Sequence, residues 1–195
     1  MREMVRHERV QGRDIAVFDG LTPAEEVQRL AVAFRRLSFT RTESAKPELA
    51  EFLHWVCEMP LENLPRISLG SLTEKAIASL RPQERYEPYR TYTNFAAFGD
   101  MLFTHVDALP DKRELTALWF VCETWDPEWG GETVFFDDQG DAQVAVSPRP
   151  GRLILFDGAI RHAGRPPNRI CYAPRFTFAI KLRAVQTEAP EDGVR

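Results

Sequence analysis

His105 and Asp107 stand two residues apart, His162 follows His105 by 57 residues, and Arg175 lies 13 further on. On an extended strand, residues i and i+2 project from one face, so an imidazole nitrogen of His105 and a carboxylate oxygen of Asp107 can reach one metal ion. A second imidazole would complete a set of two nitrogens and one oxygen on one side of the ion. That set suits ferrous iron and leaves the opposite positions open for an oxoacid and dioxygen. His162 is the best third donor by elimination, since His7 sits in a charged N-terminal stretch and His54 in a segment that reads as helix. With 4 His and 11 Asp in 195 residues, a His-x-Asp triplet arises by chance in roughly one such chain in five, so its surroundings must carry the weight.

The end of the chain offers a second chemistry. Arg175, Thr177, Ala179 and Lys181 alternate with Phe176, Phe178, Ile180 and Leu182, which on a strand gives one polar or small face and one apolar face. A guanidinium buried there is costly unless an anion pairs with it, and its planar fork matches a carboxylate through two parallel hydrogen bonds. Thr177 could add a hydroxyl beside it, and Ala179 leaves room, so this face fits a pocket better than a core. Taken alone, each piece has a plainer reading: the triplet as a turn or surface pair, and Arg175 as one end of an exposed ion pair.

The intervening sequence decides between them. Arg113 to Phe120 and the run Trp129-Gly130-Gly131-Glu132-Thr133-Val134-Phe135 resemble the third and fourth core strands of prolyl-4-hydroxylase-like 2-oxoglutarate- and Fe(II)-dependent oxygenases. Pro148-Arg149-Pro150-Gly151-Arg152-Leu153-Ile154-Leu155-Phe156 resembles the strand before that family's second metal histidine, and His162-Ala163-Gly164 stands where that histidine belongs. Arg175-Phe176-Thr177 is similar to the element that grips the far carboxylate of 2-oxoglutarate. The resemblance covers residues 86 to 183, in order. It implies His105, Asp107 and His162 as metal ligands and catalytic centre, and Arg175 and Thr177 as oxoglutarate-binding residues. Fe(II), 2-oxoglutarate and dioxygen are the implied cofactor and cosubstrates.

The chain also departs from the family. Trp119-Phe120 stands where many relatives carry an oxoglutarate-holding tyrosine, and Ala96 occupies the place of another tyrosine before the His-x-Asp motif. Tyr92 and Asn94, on the same strand face, are the residues that could replace it. The His162 to Arg175 interval is longer than in hypoxia-type prolyl hydroxylases, and Pro166-Pro167-Asn168-Arg169 is expected to form a loop at the pocket edge. Arg161 is a further pocket residue to test. Retention of Asp107 argues against the halogenating branch, and a cupin is disfavoured because its second histidine would stand at Asp107.

The elements around these residues follow from composition and pattern. A chain of 195 residues with 44% hydrophobic and 28% charged residues can bury one sizeable core but has little room for a second. A single domain over 1–195 is expected, with helical support over 1–85, a jelly-roll core over 86–184 and a frayed tail over 185–195. The expected fold class is mainly β with N-terminal helices: a double-stranded β-helix, or jelly roll, whose eight core strands are supported by helices. Those strands are expected near 88–97, 101–106, 114–123, 132–136, 143–146, 152–156, 160–164 and 174–183. Ahead of them, Ile15 to Phe18 reads as a strand. Thr22-Pro23-Ala24-Glu25 reads as a helix start with Thr22 as N-cap, and further helices are expected over 47–57 and 72–80. Gly130-Gly131 reads as a structural turn, and Trp119, Trp125 and Trp129 as packing residues.

A net charge of -4 with scattered basic residues points away from nucleic acid as a partner. The N-terminus shows no signal-peptide core, and no run reaches the ~20 apolar residues of a membrane span. Cys57, Cys122 and Cys171 have no paired spacing and read as buried thiols in a reducing compartment. The expectation is a cytoplasmic enzyme with no membrane partner and a small-molecule substrate, its oligomeric state open. The resemblance implies a dioxygenase hydroxylating an unactivated C–H bond of an amino acid, sugar or natural-product intermediate, with release of succinate and carbon dioxide. The alternatives are a protein prolyl or other residue hydroxylase, and a non-catalytic metal- or oxoacid-binding jelly-roll module.

Overall fold

A computed structural model describes residues 4–185; the expected tail beyond 185 lies outside the described residues. Strands come first: β1 (Met4–Val10) and β2 (Arg13–Phe18) form a hairpin, and α1 (Ala24–Phe34) follows. Two further strands, β3 (Thr40–Glu43) and β4 (His54–Met59), precede α2 (Ser68–Leu80). From there the chain is strands apart from a 3-10 turn at Pro127–Trp129: β5 (Tyr86–Ala96), β6 (Glu114–Phe120), β7 (Thr133–Phe136), β8 (Ala142–Val146), β9 (Leu153–Asp157), β10 (Arg161–Gly164) and β11 (Arg175–Ala184).

These strands form two antiparallel sheets, one of eight strands in the order β1-β2-β9-β6-β11-β5-β4-β3 and one of three in the order β10-β7-β8. The fold is a jelly roll. Its large sheet packs on the helices with one face and on the small sheet with the other. Phe178, Ile180 and Leu182 of β11, with Trp119 and Leu155, bury against Leu30, Phe34, Leu69 and Ile77 of the helices. Trp119, fully buried, donates its indole N–H to Thr73 Oγ1 of α2 at 2.9 Å, which satisfies its polar edge inside that layer. A second core, built on Phe120, Phe135, Ile154 and Phe156, fills one end of the space between the sheets. The other end stays open and becomes the site.

Seven of the eight expected core strands form. The exception is 101–106, where pairing is reduced to an isolated bridge between His105 and His162. There Leu102 and Phe103 line the cavity, and the Phe103 carbonyl accepts a hydrogen bond from the His105 ring at 3.0 Å instead of joining a ladder. The expected helix over 47–57 is also corrected: a three-residue 3-10 turn, Pro47–Leu49, gives way to β4. Trp55, Val56 and Cys57 pair with Phe95, Asn94 and Thr93 of β5, so an available sheet edge overrode a short helical pattern. The N-terminal third is therefore strand-bearing and not solely helical, and α2 begins four residues before the expected Leu72. Cys122 and Cys171 are buried as expected, whereas Cys57 is only half-buried.

Thr22 does not cap α1. The cap position is Pro23 without a side-chain bond, and Thr22 Oγ1 is buried with no partner among the described residues. Packing explains this. Gly151 takes φ +68°, and a Cβ there would meet Thr22 Cγ2 and Val27 Cγ2 at 2.8 Å, so the Thr22 methyl side is committed to the turn that leads into β9. Gly151→Ala should combine left-handed strain with a clash against α1. We expect a loss of roughly 2–4 kcal/mol, measurable as a lower midpoint in urea unfolding.

Candidate active site

His105 reaches the site through the backbone rather than through a strand. Its amide donates to His162 O at 3.0 Å and its carbonyl accepts from His162 N at 2.9 Å, which ties the loop after β5 to the start of strand β10. Two residues on, the Asp107 and Ala108 amides both donate to Gly158 O, at 2.8 and 3.0 Å. The imidazoles are then oriented from behind: His105 Nδ1 lies 3.0 Å from Phe103 O and His162 Nδ1 2.9 Å from Ile160 O. A carbonyl can only accept, so each Nδ1 carries the proton and each Nε2 presents a lone pair. Those Nε2 atoms lie 3.5 Å from Asp107 Oδ1 and Oδ2 respectively.

Among the described residues, His105, Asp107 and His162 are the group of metal-ligating side chains that converges, with ligand atoms all within 4.8 Å of one another. The donor set passes a chemical test for ferrous iron: two correctly tautomerised imidazoles and one carboxylate, with backbone carbonyls behind both rings. Burial pushes the His162 pKa down to about 4, against the attraction of Asp107, so this ring is neutral near pH 7. Burial opposes ionisation of Asp107, but Lys181, His162 and His105 outweigh it and hold the carboxyl well below its ordinary range.

The cavity floor is a lattice of three strands. Register across β5, β11 and β6 aligns Arg90, Lys181 and Thr116 in one row, Tyr92, Ala179 and Leu118 in the next, and Asn94, Thr177 and Phe120 in the third. Ala179 thus opens space between Tyr92 and Leu118. The cavity above has a volume of about 270 Å³ and is lined by the metal-ligand candidates together with Arg175, Thr177, Tyr92 and Asn94. All seven residues singled out as site residues in the sequence are therefore brought together. Asn94 turns its amide N–H to Trp55 O at 3.2 Å.

Arg175 is 3% exposed, and no described carboxylate forms an ion pair with it. Its Nε donates to Gly131 O at 2.6 Å, Nη2 to Thr133 Oγ1 at 3.0 Å, and its Cζ lies 5.1 Å from the Phe120 ring centroid. Phe120, of the Trp119-Phe120 pair, thus meets the guanidinium by its face. Burial lowers the Arg175 pKa to about 10, with Cys122 and Glu132 opposing. The turn Gly130-Gly131, at φ +69° and +82°, is more than spacing, because it aims the Gly131 carbonyl at Arg175. Pro167 and Asn168 brace that turn through a bridge to Gly130 and a 2.8 Å bond to Trp129 O; they are absent from the cavity lining.

Arg161 also stays out of the cavity and donates to Asp138 O at 3.4 Å. Among the lining residues that escaped the sequence reading are His54, assigned to a helix; Tyr89, whose hydroxyl donates to Glu114 Oε2 at 2.7 Å; Thr116; and Lys181. For Lys181 the signal was present in the β11 alternation. For His54 it lay in the β-branched and aromatic run that follows it.

Residues 91–181 match the family model described as the 2OG-Fe(II) oxygenase superfamily. No curated protein matches the chain. Solved structures do match in fold. A Pseudomonas putida prolyl-4-hydroxylase aligns at TM-score 0.63 and 18% identity, over 87% of this chain and 91% of that one. HygX from Streptomyces hygroscopicus, with nickel and 2-oxoglutarate bound, aligns at TM-score 0.63 and 14% identity, over 87% and 82%. The α-ketoglutarate-dependent epimerase SnoN from nogalamycin biosynthesis aligns at TM-score 0.65 and 16% identity, over 93% and 86%. Among the described residues no helix is long and apolar enough to cross a membrane.

Two outcomes follow from these charges. A buried, unpaired guanidinium is relieved by an anion, so 2-oxoglutarate should raise the melting temperature of the unaltered protein, and Arg175→Met should lose most of that rise. The second concerns acid. Unfolded His162 protonates near pH 6.5 and folded His162 only near 4, so the metal-free protein should lose stability as pH falls through that window. The loss attributable to this ring is about 3 kcal/mol. Thermal unfolding between pH 7 and 4 should show the slope, and His162→Gln should flatten it.

Proposed function

We propose that this chain, which matches the 2OG-Fe(II) oxygenase superfamily over residues 91–181, is a member of it and hydroxylates an unactivated C–H bond of a small metabolite. The observation that carries the reading is one cavity holding both a facial His-Asp-His set and a buried guanidinium without a protein counter-ion. In this reading His105, Asp107 and His162 hold Fe(II). Arg175 and Thr177 take the far carboxylate of 2-oxoglutarate, with Tyr92 and Asn94 on the neighbouring wall. Bound together, iron, oxoacid and dioxygen supply the oxidising chemistry, which couples decarboxylation to succinate and carbon dioxide with transfer of one oxygen atom to the substrate.

The chain's own contribution is positioning. The Phe103 and Ile160 carbonyls fix both imidazoles, and Thr116 donates to Asp107 Oδ2 at 2.6 Å, fixing the carboxylate. The substrate must lie against the exposed side of the cluster, where Val106, Leu102 and Tyr89 line the cavity. A cavity of about 270 Å³ is just below the roughly 300–1,000 Å³ range of small-molecule sites, and this supports a metabolite over a peptide. Likeness to SnoN supports the same choice, whereas likeness to a prolyl-4-hydroxylase supports the second reading, hydroxylation of a protein residue. The pairing of β1 to β4 into the sheet that carries Arg175 supports a single oxygenase domain; a net charge of -4 supports a partner other than nucleic acid, and three free cysteines support a cytoplasmic location.

Anaerobic addition of Fe(II) and 2-oxoglutarate should produce the weak visible charge-transfer band of a chelated oxoacid, absent in His105→Ala. With oxygen, succinate formation should rise on adding small-molecule extracts and not on adding peptide libraries. A band without succinate under any of these conditions would leave a non-catalytic binding module. Peptide-stimulated succinate would move the assignment to a residue hydroxylase.

A further inference from the structure

Lys181 is the one buried cation of the cavity that the oxygenase reading leaves without a task. Its side chain is 8% exposed, its ammonium contacts Asp107 Oδ2, and it donates to Thr116 Oγ1 at 3.1 Å. Tyr92 covers it from the β5 side, its ring centroid 5.7 Å from Nζ. An ammonium has three N–H donors; Asp107 and Thr116 take two of them, and the Tyr92 hydroxyl is the neighbour of the third.

Lys181 and Arg175 are both on the inner face of β11 and six residues apart, about 20 Å along a strand. The His-Asp-His cluster sits between them, since Asp107 touches Lys181 while the cavity beside His162 runs on to Arg175. A five-carbon diacid that binds the metal can extend to one of these cations but not to both. Arg175, with no carboxylate partner, is the one that takes it.

Charge then selects the second ligand. Among the cavity-lining residues Arg90 pairs with Glu43, and also with the exposed Glu58 outside the cavity, while Lys181 pairs with Asp107; within the lining this leaves the positive charge of Arg175. A ferrous ion adds two positive charges and 2-oxoglutarate two negative ones, so one positive charge remains in a largely buried space. It falls at Lys181, because a metal seated on Asp107 draws on the carboxylate that had balanced the ammonium. A single uncompensated charge calls for a monoanion, and so for a carboxylate rather than a phosphate ester.

We propose that Lys181 anchors a carboxylate of the primary substrate, on the side of the metal opposite Arg175, and that the enzyme acts on small carboxylic acids. The proposal rests on the oxygenase reading above. Lys181 is then a specificity-determining residue, with Ala179 and Tyr92 shaping the space beside it.

The test uses the full chain loaded anaerobically with Fe(II) and 2-oxoglutarate, with propionate as the probe and propionamide and chloride as controls at equal ionic strength. The visible band is recorded first; its absence from the unaltered protein would defeat the oxygenase reading itself rather than the role of Lys181. With the band present, propionate should raise the melting temperature in a saturable way without diminishing the band, and propionamide and chloride should not. Lys181→Met should weaken the propionate response about tenfold or more while keeping the band. Lys181→Arg should retain both and answers for the case in which the Met variant does not fold. The assignment is overturned if propionate behaves as the controls do, or if Lys181→Met responds like the unaltered protein, which would make Lys181 a support for Asp107 alone. It is also overturned if propionate abolishes the band, since the acid would then be displacing oxoglutarate at Arg175.

Discussion

Strand β11 has to satisfy two incompatible neighbours, and much of the molecule follows from how it does so. On one side it meets the helices, where Phe176, Phe178, Ile180 and Leu182 join the larger core. On the other it carries Arg175 and Lys181, each less than a tenth exposed. Burying two cations on one strand is tolerable only if the surroundings supply counter-charge or hydrogen-bond acceptors. Lys181 finds Asp107 and Thr116. Arg175 finds a glycine carbonyl, a threonine hydroxyl and the face of Phe120, none of which carries charge. The strand is thus stable as protein and unsatisfied as electrostatics, which is the condition of a binding site.

The metal-ligand candidates are built differently. Only His162 belongs to a regular strand; His105 and Asp107 hang from a connection that shares backbone bonds with His162 and Gly158. A loop braced by a few specific bonds can set side-chain direction more freely than a ladder, and here the extra carbonyls of Phe103 and Ile160 orient the rings. Precision at the cluster comes from hydrogen bonds behind the ligands, and the sheets supply only the distance between them.

The loop 165–169 and the Gly130-Gly131 turn extend this logic outward. Asn168 and Pro167 brace the turn, the turn aims the Gly131 carbonyl, and that carbonyl fixes Arg175. Residues outside the cavity therefore shape the oxoacid end of it. A Cβ at Gly131 would sit 2.9 Å from Trp125 and 3.3 Å from the Arg175 side chain, so the turn and the guanidinium pack as one unit.

Motif and period made the catalytic chemistry legible in the amino-acid sequence. His105, Asp107, His162 and Arg175 were readable because metal and carboxylate recognition restrict residue type and spacing, and the alternation in β11 announced a pocket face. Seven of the eight core strands were readable for the same reason, since period 2 is a local property. What escaped depends on contacts between distant segments. His54 became a strand residue because β5 offered an edge to the residues after it and β3 pairs with it through Glu43, and Thr22 gave up its cap to pack beside Gly151. Lys181 acquired its meaning from Asp107, 74 residues away in sequence. Residue types determined which chemistry was possible. Only the tertiary structure decided which buried charges are balanced and which are left for a ligand, because electrostatic balance is a property of neighbours in space.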